Sequence, residues 1–109
     1  MKVLIVEDDV VIAESLGNEL SHWNYEVSIA KQFGNILEEF KTAEPELVLL
    51  DINLPTFNGY HWCQEIRKVS NVPIIFISSR TDNMDQIMAI QMGGDDFIEK
   101  PFNLSLTIA

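Results

Sequence analysis

Apolar and polar positions fall into blocks along this chain, and the blocks differ in period. Val3-Leu4-Ile5-Val6, Leu47-Val48-Leu49-Leu50 and Ile74-Ile75-Phe76-Ile77 are short apolar runs without alternation. Such runs read as strands buried on both faces, the kind found in parallel sheets. Tyr25 to Ala30 alternates instead, with Tyr25, Val27 and Ile29 on one side, and predicts a more exposed strand. Asp95 to Glu99 is a short fifth strand. Between the strands the period becomes helical. Val10 to Leu20 carries Val11, Ile12, Leu16 and Leu20. Gly34 to Lys41 is a short helix whose buried stripe is Phe33, Ile36, Leu37 and Phe40. Tyr60 to Val69 packs through Trp62, Cys63 and Ile66. A fourth helix, capped by Asp82 or Asn83, runs to Met92 with Met84, Met88 and Met92 in a stripe that reads as core or partner surface. A fifth begins near Asn103 and is truncated. Strand and helix alternate throughout, which predicts one α/β domain, a doubly wound five-stranded parallel sheet with helices on both faces.

The breaks between blocks carry their own information. Pro55 cannot continue a strand ladder, so the chain leaves the sheet just past Asp51. Thr56-Phe57-Asn58-Gly59 is a turn signal in which Gly59 is available for a positive φ. Asp9 is placed to cap the first helix, and Gly93-Gly94 to close the fourth. His22 and Trp23 read as surface and rim packing, and Cys63 as a core thiol.

Composition narrows the setting. The 109 residues suit a single core, and 47% hydrophobic with 22% charged residues is an ordinary globular balance. No apolar run approaches the roughly 18 residues of a membrane span, and no signal peptide opens the chain. A single cysteine cannot form an internal disulfide, so the cytoplasm is the expected compartment. A net charge of −10 argues against this segment itself holding nucleic acid. The sequence stops at Ala109 in mid-pattern, shortly after the cap at Asn103 and with no C-cap signal, so a longer protein is expected.

The chemistry gathers where strands end. Glu7 and Asp8 follow the first strand, Asp51 ends the third, Ser78 the fourth, and Lys100 follows the fifth. In a parallel sheet these ends share one edge, and open α/β sheets bind their ligands there. Asp51 alone could be a loop-capping residue, and Glu7-Asp8-Asp9 alone a solvated turn that caps the next helix. Together they form a carboxylate-rich pocket suited to a hard divalent cation. Mg²⁺ binds through one or two carboxylates and keeps waters and phosphate oxygens, so a metal site and a phosphoryl acceptor coincide. Asp51 is then the carboxylate nucleophile, met by the Lys100 charge and the Ser78 hydroxyl.

Glu7-Asp8, Asp51 with Pro55 and Gly59, Ser78, and Lys100-Pro101-Phe102 together resemble the receiver domains of two-component response regulators, over essentially the whole of residues 1–109. The resemblance implies the strand order 2-1-3-4-5. It implies that Asp51 takes a phosphoryl group from a sensor histidine kinase. Asp8, Asp51 and the backbone carbonyl of Asn53 would hold Mg²⁺, with Glu7 acting through water. Lys100 would bridge to the aspartyl phosphate, Ser78 would move to bond it, and Phe97 would rotate inward behind it. The surface of helix 4, strand 5 and helix 5 would then switch to favour a homodimer. Such a domain is not a conventional enzyme: it phosphorylates itself from phosphodonors and slowly loses the group.

Gly93-Gly94-Asp95-Asp96-Phe97-Ile98 resembles the run in receivers attached to winged-helix DNA-binding domains. DNA contact would then belong to a C-terminal domain beyond Ala109. Tyr60-His61-Trp62-Cys63 and Ser78-Ser79-Arg80 are similar to the regulators of resistance to bacitracin and other antimicrobial peptides in low-GC Gram-positive bacteria. Three positions depart from the common pattern. Phe97 stands for Tyr and Ser78 for Thr. Gln86 stands for a basic residue of helix 4, which removes an ion pair of the usual dimer. A stand-alone receiver or phosphorelay module without DNA binding is the alternative. A haloacid-dehalogenase-type phosphatase would need an acid where Asn53 stands. A flavin or nucleotide binder would want a Gly-rich loop in place of Glu7-Asp8-Asp9.

Overall fold

In the computed structural model, residues 1–78, 93–94 and 96–99 are described. The strands are β1 (Lys2–Val6), β2 (Glu26–Ile29), β3 (Leu47–Asp51), β4 (Ile74–Ser78) and β5 (Asp96–Glu99). They form one sheet in the order β2-β1-β3-β4-β5, every pairing parallel. The expected sheet and its order are both present. The helices among the described residues are α1 (Val10–His22), α2 (Ile36–Ala43) and α3 (Gly59–Arg67). The expected fourth and fifth helices, with Gln86, lie outside the described residues.

The unbroken apolar runs are explained by cover on both sides. Val3 and Ile5 of β1, Leu49 of β3 and Ile77 of β4 pack with Ala13, Leu16 and Leu20 of α1. Leu4 and Val6, Val48 and Leu50, and Ile74 and Phe76 turn the other way and pack with α2 and α3. Side chains alternate along a strand, so only a run with no polar position can satisfy two apolar layers. At roughly 25 cal/mol per Å² of apolar surface removed from water, these layers are the main stabilising term. Edge strand β2 meets α1 on one face only, through half-buried Val27 and Ile29, while Glu26 and Ser28 are exposed.

Several expectations shift. Helix α1 runs to His22, past Leu20, and Val11 is 73% exposed, outside the buried stripe. Its neighbours one and two turns on are Ser15 and Asn18, both exposed, whereas Ile12 aligns with Leu16 and Leu20. Asp9 caps α1 as expected, its carboxylate accepting from the amides of Val11 (3.0 Å) and Ile12 (3.2 Å). Asp9→Ala is expected to cost about 1 kcal/mol, lowering the melting temperature by roughly 4–8 °C in a thermal scan. Helix α2 starts at Ile36, so Phe33 joins the core from the loop ahead of it, and it stops where Glu44 adopts a left-handed φ of 48° before Pro45. Helix α3 ends at Arg67, short of Val69, which is 55% exposed. Trp62, Cys63 and Ile66 are buried as expected, and Trp23 is 51% exposed at the end of α1.

The turn after β3 is built differently from its reading as a turn with Gly at positive φ. Thr56 takes the left-handed conformation, with φ 69°, and Gly59 does not. Gly59 is needed for space. A Cβ there would sit 2.2 Å from the Asp51 carbonyl oxygen and 3.0 Å from the Ile52 Cα. The Gly59 amide donates to the Ile52 carbonyl at 2.8 Å, pinning the first turn of α3 to the end of β3.

Candidate functional site

Pairing of Val6 with Leu50 brings the residues that follow, Glu7 and Asp51, to the same level at the carboxyl edge. This is the point between β1 and β3 where the sheet order reverses, and where doubly wound sheets bind ligands. Glu7, Asp8 and Asp51 each offer a carboxylate oxygen, and these oxygens all lie within 4.8 Å of one another. Asp8 is exposed, while Glu7 is 3% and Asp51 4% accessible. Glu7 is held from behind, its Oε1 accepting the Asp9 amide at 3.1 Å. The same short turn therefore caps α1 with Asp9 and supplies two acids to the cluster.

Three carboxylates this close repel one another. A hard divalent cation relieves that repulsion, and the donor set fits Mg²⁺. An octahedral Mg²⁺ holds oxygens at 2.0–2.1 Å, which puts its ligand atoms roughly 3 to 4 Å apart. The observed span of at most 4.8 Å is close to that. Asn53, whose carbonyl was the remaining expected ligand, is exposed in the loop two residues beyond Asp51.

The start of α3, beyond the loop that follows β3, was less legible in the sequence. Asn58 caps α3, its Oδ1 accepting from the His61 amide at 3.0 Å. Phe57, 46% exposed, stacks on His61 with ring centroids 4.3 Å apart, and both rings meet Trp62 edge-on. The Trp62 indole nitrogen is buried with no hydrogen-bond partner.

The structure thus brings together Glu7, Asp8 and Asp51 as expected. Ser78 ends β4 one step beyond Ile77, which pairs with Asp51, and Phe97 pairs with Phe76 in β5. Lys100, and the side chains of Ser78 and Phe97, lie outside the described residues. No helix among the described residues is long and apolar enough to cross a membrane.

Known proteins match this arrangement along the whole chain. Residues 3–109 match the model of the response regulator receiver domain. The chain is 56% identical over 108 residues to the uncharacterized transcriptional regulatory protein YvcP of Bacillus subtilis, covering 99% of this chain and 46% of that one. It is 43% identical over 109 residues to the response regulator protein GraR of Staphylococcus aureus, covering 100% of this chain and 49% of that one. It therefore spans about half the length of the curated relatives it matches. The solved N-terminal domain of the nisin resistance regulator NsrR, a lantibiotic response regulator, superposes with a TM-score of 0.89 at 48% identity, covering 98% of this chain and 91% of that one. The likeness to regulators of antimicrobial-peptide resistance is thus met among its relatives. With the parallel 2-1-3-4-5 sheet, the acidic cluster at its switch point and a family match over nearly every residue, the chain belongs to the response regulator receiver family: it is a receiver domain of a two-component response regulator.

Proposed function

We propose that Asp51 is the phosphoryl acceptor of this receiver. The observation that carries the reading is the meeting of Glu7, Asp8 and Asp51 within 4.8 Å where the strand order reverses. Asp8, Asp51 and the Asn53 backbone carbonyl would hold Mg²⁺, with Glu7 acting through water. When bound, the ion neutralises charge on the incoming phosphoryl oxygens. A carboxylate oxygen of Asp51 forms the new bond to phosphorus as the bond to the donor breaks. The donor is a phosphohistidine of a sensor kinase or a small acyl phosphate. Lys100 and the Ser78 hydroxyl would meet the transferred group, and Phe97 would rotate inward behind Ser78, as the family resemblance implies. The bond forms without a separate enzyme and is slowly hydrolysed.

Phosphorylation then shifts the surface of helix 4, strand 5 and helix 5 toward a homodimer. Relatives about twice as long, one of them a transcriptional regulatory protein, favour an output domain after residue 109 over a stand-alone receiver. That domain would be a winged-helix DNA binder acting in the cytoplasm. The NsrR likeness points to genes of antimicrobial-peptide resistance.

Intact mass after incubation with acetyl phosphate and Mg²⁺ tests the core of this reading. One phosphoryl group is expected on the wild type and none on Asp51→Ala, nor on the wild type in chelator. An adduct that persists in Asp51→Ala would place the acceptor elsewhere.

A further inference from the structure

Arg67, the last residue of α3, joins three parts of the chain. Its Nε donates to the Gly93 carbonyl at 2.9 Å and its Nη1 to the Val72 carbonyl at 2.5 Å. Val72 belongs to the link between α3 and β4, and Gly93 lies just ahead of β5. The guanidinium is planar and cannot lose its proton, so two carbonyls held by different nitrogens of one fork are fixed relative to each other. Gly93 fits this clamp in two respects. Its φ of +100° is one that side-chain-bearing residues rarely adopt, and a Cβ there would come within 3.1 Å of Arg67 Cγ and 3.6 Å of Cys63 Sγ. The turn ahead of β5 is thus pressed onto the end of α3 with no slack.

The other end of α3 is pressed equally hard onto Asp51. Gly59 opens the helix against the Asp51 carbonyl, where a Cβ would lie at 2.2 Å, and its amide bonds the Ile52 carbonyl. Between the two ends the helix has 9 residues, with Trp62, Cys63 and Ile66 buried in the core. A helix of that length is about 13 Å long and moves as one body, and packed interiors transmit displacement rather than absorbing it.

From this we infer that α3 is a rigid link from Asp51 to the turn that feeds β5, with Arg67 as the positioning residue at its far end. Resting on the reading of Asp51 as phosphoryl acceptor, it adds a route that does not run through Ser78 or Phe97. A change of bonding at Asp51 shifts its carbonyl, Gly59 follows, and Arg67 carries the shift to the Gly93 carbonyl. Chains of packed and hydrogen-bonded groups can carry such coupling, and α3 supplies them at both ends.

The test follows amide resonances of ¹⁵N-labelled wild type, Arg67→Met and Arg67→Lys, with acetyl phosphate and Mg²⁺, alongside phosphoryl occupancy by intact mass and the melting temperature. With only 5 glycines in the chain, the amides of Gly93 and Gly94 are readily assigned. In the wild type both are expected to shift on phosphorylation. In Arg67→Met, occupancy should stay at the wild-type level while the Gly93 and Gly94 shifts fall to about half or less. Arg67→Lys, which keeps the charge but can hold only one carbonyl well, should recover part of the shift and serves as the folded comparison. A residue that only stabilises the fold would lower the melting temperature and leave the shifts at full size; that result in either variant overturns the inference while the phosphoryl-acceptor reading stands. A wild type that takes no phosphoryl group overturns both.

Discussion

In chelating buffer, Asp8→Asn is expected to melt above the wild type, and in excess Mg²⁺ below it. The crossing follows from the cluster of Glu7, Asp8 and Asp51, whose carboxylate oxygens lie within 4.8 Å of one another. At that separation each like-charge pair costs about 1 kcal/mol in water and roughly 3 at an effective dielectric near 20. Asp8 is exposed, so solvent and salt reduce its share. Asparagine keeps the shape and removes two repulsive pairs, so a gain of about 1 kcal/mol, or roughly 5 °C, is expected without metal. On the proposed reading, Mg²⁺ would bind the folded cluster and not the unfolded chain. At a hundred times its dissociation constant it adds about 2.7 kcal/mol to the wild type. With one carboxylate fewer, the variant captures only part of that gain. Thermal scans of both proteins in chelator and in Mg²⁺ decide the matter. Parallel behaviour of the two under both conditions would mean that these acids do not share a cation.

The elements that were legible in the sequence are those whose environment is simple. β1, β3 and β4 were evident because a strand covered on both faces tolerates no polar position, and runs this short, rich in β-branched residues in β1 and β4, suit a strand better than a buried helix. Asp9 was legible as a cap because the capping bond is local, spanning two and three residues. Helix ends were less so: α1 overran its expected end and α3 fell short of its own, since helix ends fray and depend on what packs beyond them. Val11 misled for a related reason. Its side chain is apolar, but its helical stripe is polar, and position on the stripe decides burial.

The candidate site divides in the same way. Acids at successive strand ends announce themselves because charged groups directly after buried strands are costly without a purpose. Glu7 and Asp51 are both buried at the sheet edge, Asp8 is exposed beside them, and their spatial meeting depends only on parallel pairing. What the sequence hides is contact between backbones. Gly59 looked like a turn residue needing a positive φ, yet Thr56 takes that role and Gly59 is required for closeness. Arg67 gave no signal at all. Its partner Gly93 is 26 residues away, too far for any local pattern to show.

Gly59→Ala is therefore expected to be among the most damaging single substitutions in the chain, although alanine favours helices by about 1 kcal/mol over glycine. The added Cβ would lie 2.2 Å from the Asp51 carbonyl oxygen and 3.0 Å from the Ile52 Cα. Both neighbours are backbone, one of them at the end of the central strand, so neither can turn aside as a side chain would. Overpacking commonly costs 1–3 kcal/mol, and with rigid partners about 3 is expected here. At roughly 4–8 °C per kcal/mol, the melting temperature should fall by about 12–24 °C. Gly34→Ala is the matched control, since a Cβ at that position would meet nothing within 4 Å. Exposed and away from any special contact, it should stay within about 0.5 kcal/mol of the wild type. The damage should also reach the chemistry. Relief of the clash moves either α3 or the Asp51 carbonyl, and misplacing a reacting group by about 1 Å can cost on the order of a hundredfold in rate. Phosphorylation by acetyl phosphate, measured below the variant's own melting range, should slow at least tenfold by that reasoning. Equal melting of Gly59→Ala and Gly34→Ala would refute the close approach. A large thermal loss with an unchanged rate would show that the helix gives way and the strand holds, so that the position of Asp51 is set by β3 alone.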